Sequence, residues 1–191
     1  MNNCWSCHSP LVENALFCGV CDVVQPPKNI TPFALFGLAV SFEVDRDLVD
    51  STYLALQKKL HPDNFVTKSQ SEQMYALSAG ANLNDAYNIL MDNVKLSCKL
   101  LEINNIIDVL SGKPSMALMA EQFELREALG ETDNLQNLKQ MVAKKEEECY
   151  KKLVQAFNEE TYQKAAGLTI ELRFLTKFTK DVKKQIRKQK S

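Results

Sequence analysis

The chain has 191 residues, of which 45% are apolar, and a formal net charge of −1. That length suits two small domains better than one, and the apolar fraction is enough for a buried core. Near-neutral charge argues against a general nucleic-acid-binding role, and without a run of eighteen apolar residues no membrane span is expected.

The first segment, 1–24, is short and rich in cysteine. Four of the six cysteines fall in it, as Cys4-Trp5-Ser6-Cys7 and Cys18-Gly19-Val20-Cys21, with a ten-residue spacer between the pairs. Each Cys-x-x-Cys turn aims two thiolates at one point, and two turns complete a tetrahedral four-sulfur site. The N-terminus has neither the charged-then-apolar pattern of a secretory signal nor the Arg-rich amphipathic pattern of a transit peptide. With no sign of secretion, the cysteines read as metal ligands rather than disulfides. Structural Zn²⁺ fits them best, and iron in a rubredoxin-like site is the rival with the same ligands. A closed four-thiolate site offers no open coordination position, so no catalysis is expected there. So short a module buries too little apolar surface to fold alone, and metal binding must supply its folding free energy. Trp5 is expected to pack over the site and His8 to be exposed. The module carries Glu13 and Asp22 and no Lys or Arg, which disfavours nucleic acid as its partner. Cys98 and Cys149 stand alone in helical patterns and read as small apolar side chains.

Residues 25–30 hold Pro26-Pro27 and form a linker. Thr31-Pro32 then starts a short helix through Phe33, Leu35 and Phe36 that Gly37 ends. Asp45 caps a second helix, predicted to reach about Leu60. Pro62 stops it, because a residue before proline is pushed out of the α region. Asn64 to Ser71 is a polar loop, and Ser71 or a neighbour caps a long helix ending near Met91. Val94 to Ile103 forms a shorter helix.

Residues 104–115, with Gly112 and Pro114, mark a domain boundary. Beyond it three helices are predicted: Met116 to Leu129, stopped by Gly130; Leu135 to about Asn158; and Glu160 to about Lys184. Short connections between them imply an antiparallel bundle. The lysine-rich tail from Lys183 to Lys190 reads as a solvated helix end that complements the helix dipole. The predicted fold class is all-α after the cysteine module.

His61-Pro62-Asp63 is the most telling motif. Pro62 forces a sharp exit from the helix, so His61 and Asp63 project as a fixed pair. Asp63 can accept a bidentate bond from a partner arginine. Lys58 and Lys59 add a positive face for an acidic partner. No nucleophile or third group accompanies the pair, so it reads as a contact surface and not as the centre of an enzyme.

Helix, His-Pro-Asp loop, helix resembles a J-domain over residues 31–103. The whole chain resembles the HscB family, the J-domain co-chaperones of iron–sulfur cluster assembly. The resemblance is carried by Tyr53-Leu54-Ala55-Leu56-Gln57-Lys58-Lys59-Leu60-His61-Pro62-Asp63-Asn64-Phe65 and by Leu83-Asn84-Asp85-Ala86-Tyr87. Glu121-Gln122-Phe123-Glu124-Leu125-Arg126-Glu127 and Leu172-Arg173-Phe174-Leu175 make it specific, and the cysteine module resembles that of the eukaryotic-type subgroup. One departure is Asn64, where many members carry lysine. The resemblance implies a J-domain hairpin, then a three-helix bundle over 116–191 that binds a client. His61, Pro62, Asp63, Lys58 and Lys59 would dock on a DnaK/HscA-type heat-shock ATPase. Met119, Phe123, Glu124, Glu127 and Phe174 would hold an iron–sulfur cluster scaffold protein, and Cys4, Cys7, Cys18 and Cys21 would hold the metal. An alternative client is an unfolded chain delivered by a general J-protein. The resemblance implies the mitochondrial matrix; the missing transit pattern reads as cytoplasm.

Overall fold

The computed structural model describes residues 3–131 and 134–189, and Lys190 of the basic tail lies outside them. They contain seven α-helices in two compact units, one of residues 1–40 and 44–93, the other of residues 41–43 and 94–191.

In the first unit α1 spans Pro32–Leu35, with the Thr31 hydroxyl accepting from the Ala34 N–H at 3.2 Å. Gly37 follows at φ +67°, a conformation that costs glycine little. The second helix, α2, runs Arg46–Lys59 and begins where the Asp45 carboxylate accepts from the Leu48 N–H at 3.0 Å. It ends because Pro62 holds His61 at φ −59°, ψ 133°. A single 3₁₀ turn, Pro62–Phe65, occupies the start of the expected loop. The third helix, α3, is Gln70–Met91, capped by Ser69. The cap sits there, two residues before Ser71, because Glu72 is three residues on and closes a capping box with Ser69.

Antiparallel pairing of α2 and α3 is read directly from cross-helix bonds. The Arg46 guanidinium donates to the Met91 carbonyl at 3.0 Å and to the Asn93 side chain. The Tyr87 hydroxyl donates to Asp50 at 2.7 Å, which raises the tyrosine's pKa above its ordinary value. The Tyr53 hydroxyl donates to Asn84 at 2.9 Å, and its ring stacks on Tyr87 with centroids 4.0 Å apart. Val49, Leu83, Ala86, Leu90 and Phe33 are buried in this unit.

The second unit holds α4 (Asn93–Ile103, from its second residue on), α5 (Met116–Glu131), α6 (Leu135–Asn158) and α7 (Tyr162–Gln189). The sequence pattern reads α4 with the preceding helices, yet it packs with the later ones. Its apolar face of Leu96, Leu100 and Leu101 is buried there, and the Ser97 hydroxyl bonds the buried Thr169 of α7 at 2.5 Å. Phe42 also belongs to this unit, stacked on Phe157 with centroids 5.1 Å apart.

The seam of the bundle lies between α6 and α7. Leu138, Val142, Cys149, Leu153 and Ala156 on one helix face Ala165, Leu168, Leu172, Leu175, Phe178 and Val182 on the other. Steps of three, four and seven keep both rows on one side of their helices. Each buried leucine or valine contributes about 1.5–3 kcal/mol. The turn between them uses Glu160 at φ 54° and closes with Thr161 N–H donating to the Ala156 carbonyl at 2.8 Å. Helix α5 ends at Glu131, one residue past Gly130. Few of its side chains are buried, chiefly Leu118 and Leu125, and Lys145 of α6 bonds Glu121.

Candidate functional site

Three places concentrate the residues singled out above. The first is the corner after α2. His61 Nδ1 accepts from the Asp63 N–H at 3.3 Å and lies 3.5 Å from the Asp63 carboxylate. One ring nitrogen cannot do both at once: a neutral imidazole accepts from the backbone, a protonated one donates to the carboxylate. The side chains of His61 and Asp63 are 58% and 84% exposed. Phe65, at the end of the 3₁₀ turn, is buried and pins the corner to the unit.

Asn64, noted above as a departure from the family pattern, has a local role. Its amide donates to the carbonyls of Lys58 and Lys59 at 2.8 and 3.2 Å, closing the open end of α2. Substituting Asn64→Ala removes both bonds and leaves exposed carbonyls for water to satisfy. We expect a stability loss of about 1 kcal/mol, seen as a fall of a few degrees in melting temperature. Lys58 and Lys59 are both exposed, and the Lys59 ammonium sits 3.9 Å from Asp22 and 5.3 Å from the Phe17 ring centroid, both in the cysteine module. Next to the corner lies a groove of about 760 Å³ lined by Leu54, Leu60, Phe65, Ala76 and Leu77, among others. Helical periodicity assigns such leucines to a core and gives no signal for this groove; Leu54 and Leu77 are in fact exposed.

The second place is the cysteine module. The Sγ atoms of Cys4, Cys7, Cys18 and Cys21 all lie within 4.8 Å of one another. Cys4 and Cys21 sulfurs are 3.7 Å apart, and Cys7 and Cys18 sulfurs 3.6 Å. A disulfide would need about 2 Å. Four sulfurs at about 2.3 Å from one ion lie about 3.8 Å apart at the corners of a tetrahedron, so the four residues fit a metal ion.

The two knuckles repeat one backbone pattern. Ser6 and Val20 N–H groups each donate to the preceding cysteine sulfur, of Cys4 and Cys18, at 3.4 Å. His8 and Asp22 take positive φ values of 61° and 53°, and their N–H groups donate to the Cys4 and Cys18 carbonyls at 3.0 and 2.9 Å. The buried Gln25 amide also donates to the Cys4 sulfur at 3.4 Å, a partner that the sequence does not announce.

Cys4, Cys7 and Cys21 do not ionise alike. Burial pushes the Cys4 thiol up, but the N–H groups of Cys7 and Ser6 and the Gln25 amide outweigh it and hold it at about 6. Hydrogen bonds from Ser9 hold Cys7 below the ordinary thiol value. At Cys21 the Val23 N–H favours the thiolate, yet burial and the neighbouring sulfurs push it up to about 12. Four thiolates this close repel one another unless a cation lies between them. Trp5 packs beside the site, its indole N–H donating to the Val24 carbonyl at 2.8 Å. Cys98 and Cys149 belong to the second unit. Cys149 is buried, donates to the Leu168 carbonyl at 3.4 Å and is pushed up to about 12 by burial, which disfavours the reactive thiolate.

The third place is the outer face of α5. Met119 and Phe123 are 52% and 68% exposed, and Glu124 and Glu127 are exposed with them. Leu118 and Leu125 point to the other side and are buried. Phe174 of α7 is half-buried, its ring 5.8 Å from that of buried Phe178. Arg173, its neighbour, donates to the Leu110 carbonyl at 3.2 Å. A methionine and a phenylalanine one helical turn apart are thus left in water.

Known proteins resemble this chain over most of its length. Residues 114–183 match the family model of the HSCB C-terminal oligomerisation domain. The chain is 32% identical over 170 residues to the "Co-chaperone protein HscB homolog" of Pasteurella multocida, covering 81% of this chain and 95% of the relative. It is 27% identical over 188 residues to the "Iron-sulfur cluster co-chaperone protein HscB homolog" of Arabidopsis thaliana, covering 96% and 74%. Among solved structures, human co-chaperone protein HscB shares the fold, with a TM-score of 0.86 at 24% identity over 96% of this chain and 98% of that one. Chaperone HscB from Vibrio cholerae aligns at a TM-score of 0.76 and 28% identity, covering 85% and 100%.

Proposed function

Because this chain belongs to the HscB family of co-chaperones of iron–sulfur cluster assembly, we propose that it joins a cluster scaffold protein to a DnaK/HscA-type heat-shock ATPase and accelerates ATP hydrolysis by that partner. The observation that best supports this reading is the accessibility of both contact surfaces at once. His61 and Asp63 stand in solvent in the first unit, and Met119 and Phe123 do so in the second.

His61, Pro62 and Asp63 dock on the ATPase, with Lys58 adding positive charge toward an acidic surface. Lys59 belongs to the same turn, but its ammonium lies against the cysteine module. The scaffold binds along Met119 and Phe123, with Phe174 at the edge. Glu124 and Glu127 add negative charge that favours a basic stretch of the scaffold. Holding both proteins on one chain raises the local concentration of scaffold at the ATPase, which is the physical content of the delivery step. Cys4, Cys7, Cys18 and Cys21 hold a structural Zn²⁺, with Fe the alternative. The ion crosslinks a module too small to fold by burial alone.

Steady-state ATPase measurements test this reading. A heat-shock ATPase of the DnaK/HscA type is assayed with the chain alone, with an iron–sulfur scaffold alone, and with both. Stimulation by the pair beyond the sum of the two separate effects is expected. Additive rates, or equal synergy from an unfolded protein in place of the scaffold, would transfer the chain to general client delivery.

A further inference from the structure

We infer that the cysteine module is a metal-dependent brace for the His-Pro-Asp corner, and that Lys59 is a positioning residue through which it acts. Every contact named here lies within the first unit. Lys59 Nζ is 3.9 Å from the Asp22 carboxylate and 5.3 Å from the centre of the Phe17 ring. On the other helix of the hairpin, Trp5 meets Tyr75 of α3 edge to face, with centroids 5.7 Å apart at 83°. The three module residues are not scattered. Trp5 follows Cys4, Phe17 precedes Cys18, and Asp22 follows Cys21. Each side chain that touches the hairpin is therefore the immediate neighbour of a sulfur ligand, and the ion that fixes the sulfurs fixes the contacts.

The hairpin end of the brace is equally local. Lys59 is two residues before His61. Its carbonyl, with that of Lys58, accepts from Asn64, so the turn that carries the lysine is bonded to the turn that carries the motif. Displacing the Lys59 side chain loosens the last turn of α2 and the corner together. The magnitudes set the kind of effect expected. An exposed ion pair, a cation over a ring and one aromatic edge contact are each weak. They cannot hold the hairpin folded, which Val49, Leu83 and Leu90 do from its core. They can hold the corner in one geometry, which lowers the ordering cost when a partner binds.

Two measurements on the full chain test this. The first needs no partner: hydrogen exchange of residues 57–66 is compared in zinc-loaded protein and in protein stripped by a chelator. Exchange is expected to quicken roughly tenfold in the stripped protein while the middle of α3 stays protected. The second uses Lys59→Asp, Asp22→Lys and the double swap, all zinc-loaded. Each single variant is expected to speed exchange at the corner and to raise the half-saturating concentration for ATPase stimulation several-fold. The swap restores both. A lysine that instead touches the partner would leave exchange unaltered, and the swap would remain as weak as Lys59→Asp. Either that pattern or equal exchange with and without metal overturns the inference. The half-saturation arm rests on the docking reading above. The exchange arm does not, so failure of the brace and failure of docking are told apart.

Discussion

Replacing His61 with Gln is expected to abolish stimulation of the partner ATPase while leaving the fold intact. The imidazole is more than half exposed and makes two local contacts, both to Asp63. Glutamine offers an oxygen that can accept from the same N–H, so the corner keeps its shape. Exposed substitutions of this kind change stability by about 0.5 kcal/mol or less. What is lost is a rigid group at the centre of a contact surface. Such central contacts cost about 2 kcal/mol or more when removed, a loss of roughly thirtyfold or greater in the effective stimulation. ATPase rates at several chain concentrations, paired with a thermal melt, give the result. An unchanged rate would remove the motif from the docking surface, and a large fall in melting temperature would assign it to the fold.

The second large effect is expected on α5, where two neighbouring positions should respond in opposite ways. Phe123 is 68% exposed and Leu125, two residues on, is buried. Phe123→Ala removes little that folding has buried, so the melting temperature should hardly move. Scaffold affinity should fall about thirtyfold, corresponding to about 2 kcal/mol for a central aromatic anchor. Leu125→Ala should do the reverse and cost about 2–5 kcal/mol of stability through the cavity it opens. Titration calorimetry against the scaffold and thermal unfolding, run on both variants, separate the two roles. Loss of stability in Phe123→Ala with undiminished binding would return the strip to the core. Met119→Ala should follow Phe123→Ala with a smaller effect. Phe174→Ala should show some of each behaviour, because its ring lies against buried Phe178.

Much of this chain was legible before any coordinates. Helix starts at Thr31 and Asp45, the stop at Pro62 and the α6–α7 seam all follow from short-range rules. Cap chemistry, proline geometry and a three-to-four residue apolar step act within a turn or two of the chain. The four-cysteine site was equally readable, because two Cys-x-x-Cys turns specify their own geometry.

Where expectation and structure part, the deciding partner is distant in sequence. The apolar face of α4 says that the helix must be covered, but not by which neighbour; Thr169, far along the chain, settles it. Lys58 and Lys59 look alike in sequence, and only the Asp22 and Phe17 contacts set the second apart. Leu118 and Phe123 are both large and apolar on one helix, and only the packing of α5 leaves one of them in water. The sequence by itself determined the helices, the caps at Thr31 and Asp45, the corner at Pro62 and the thiolate cage, because each depends on residues close along the chain. Tertiary structure alone decided which faces are covered, which lysine is held and which apolar side chains remain available to a partner, because those outcomes depend on what arrives from elsewhere in the fold.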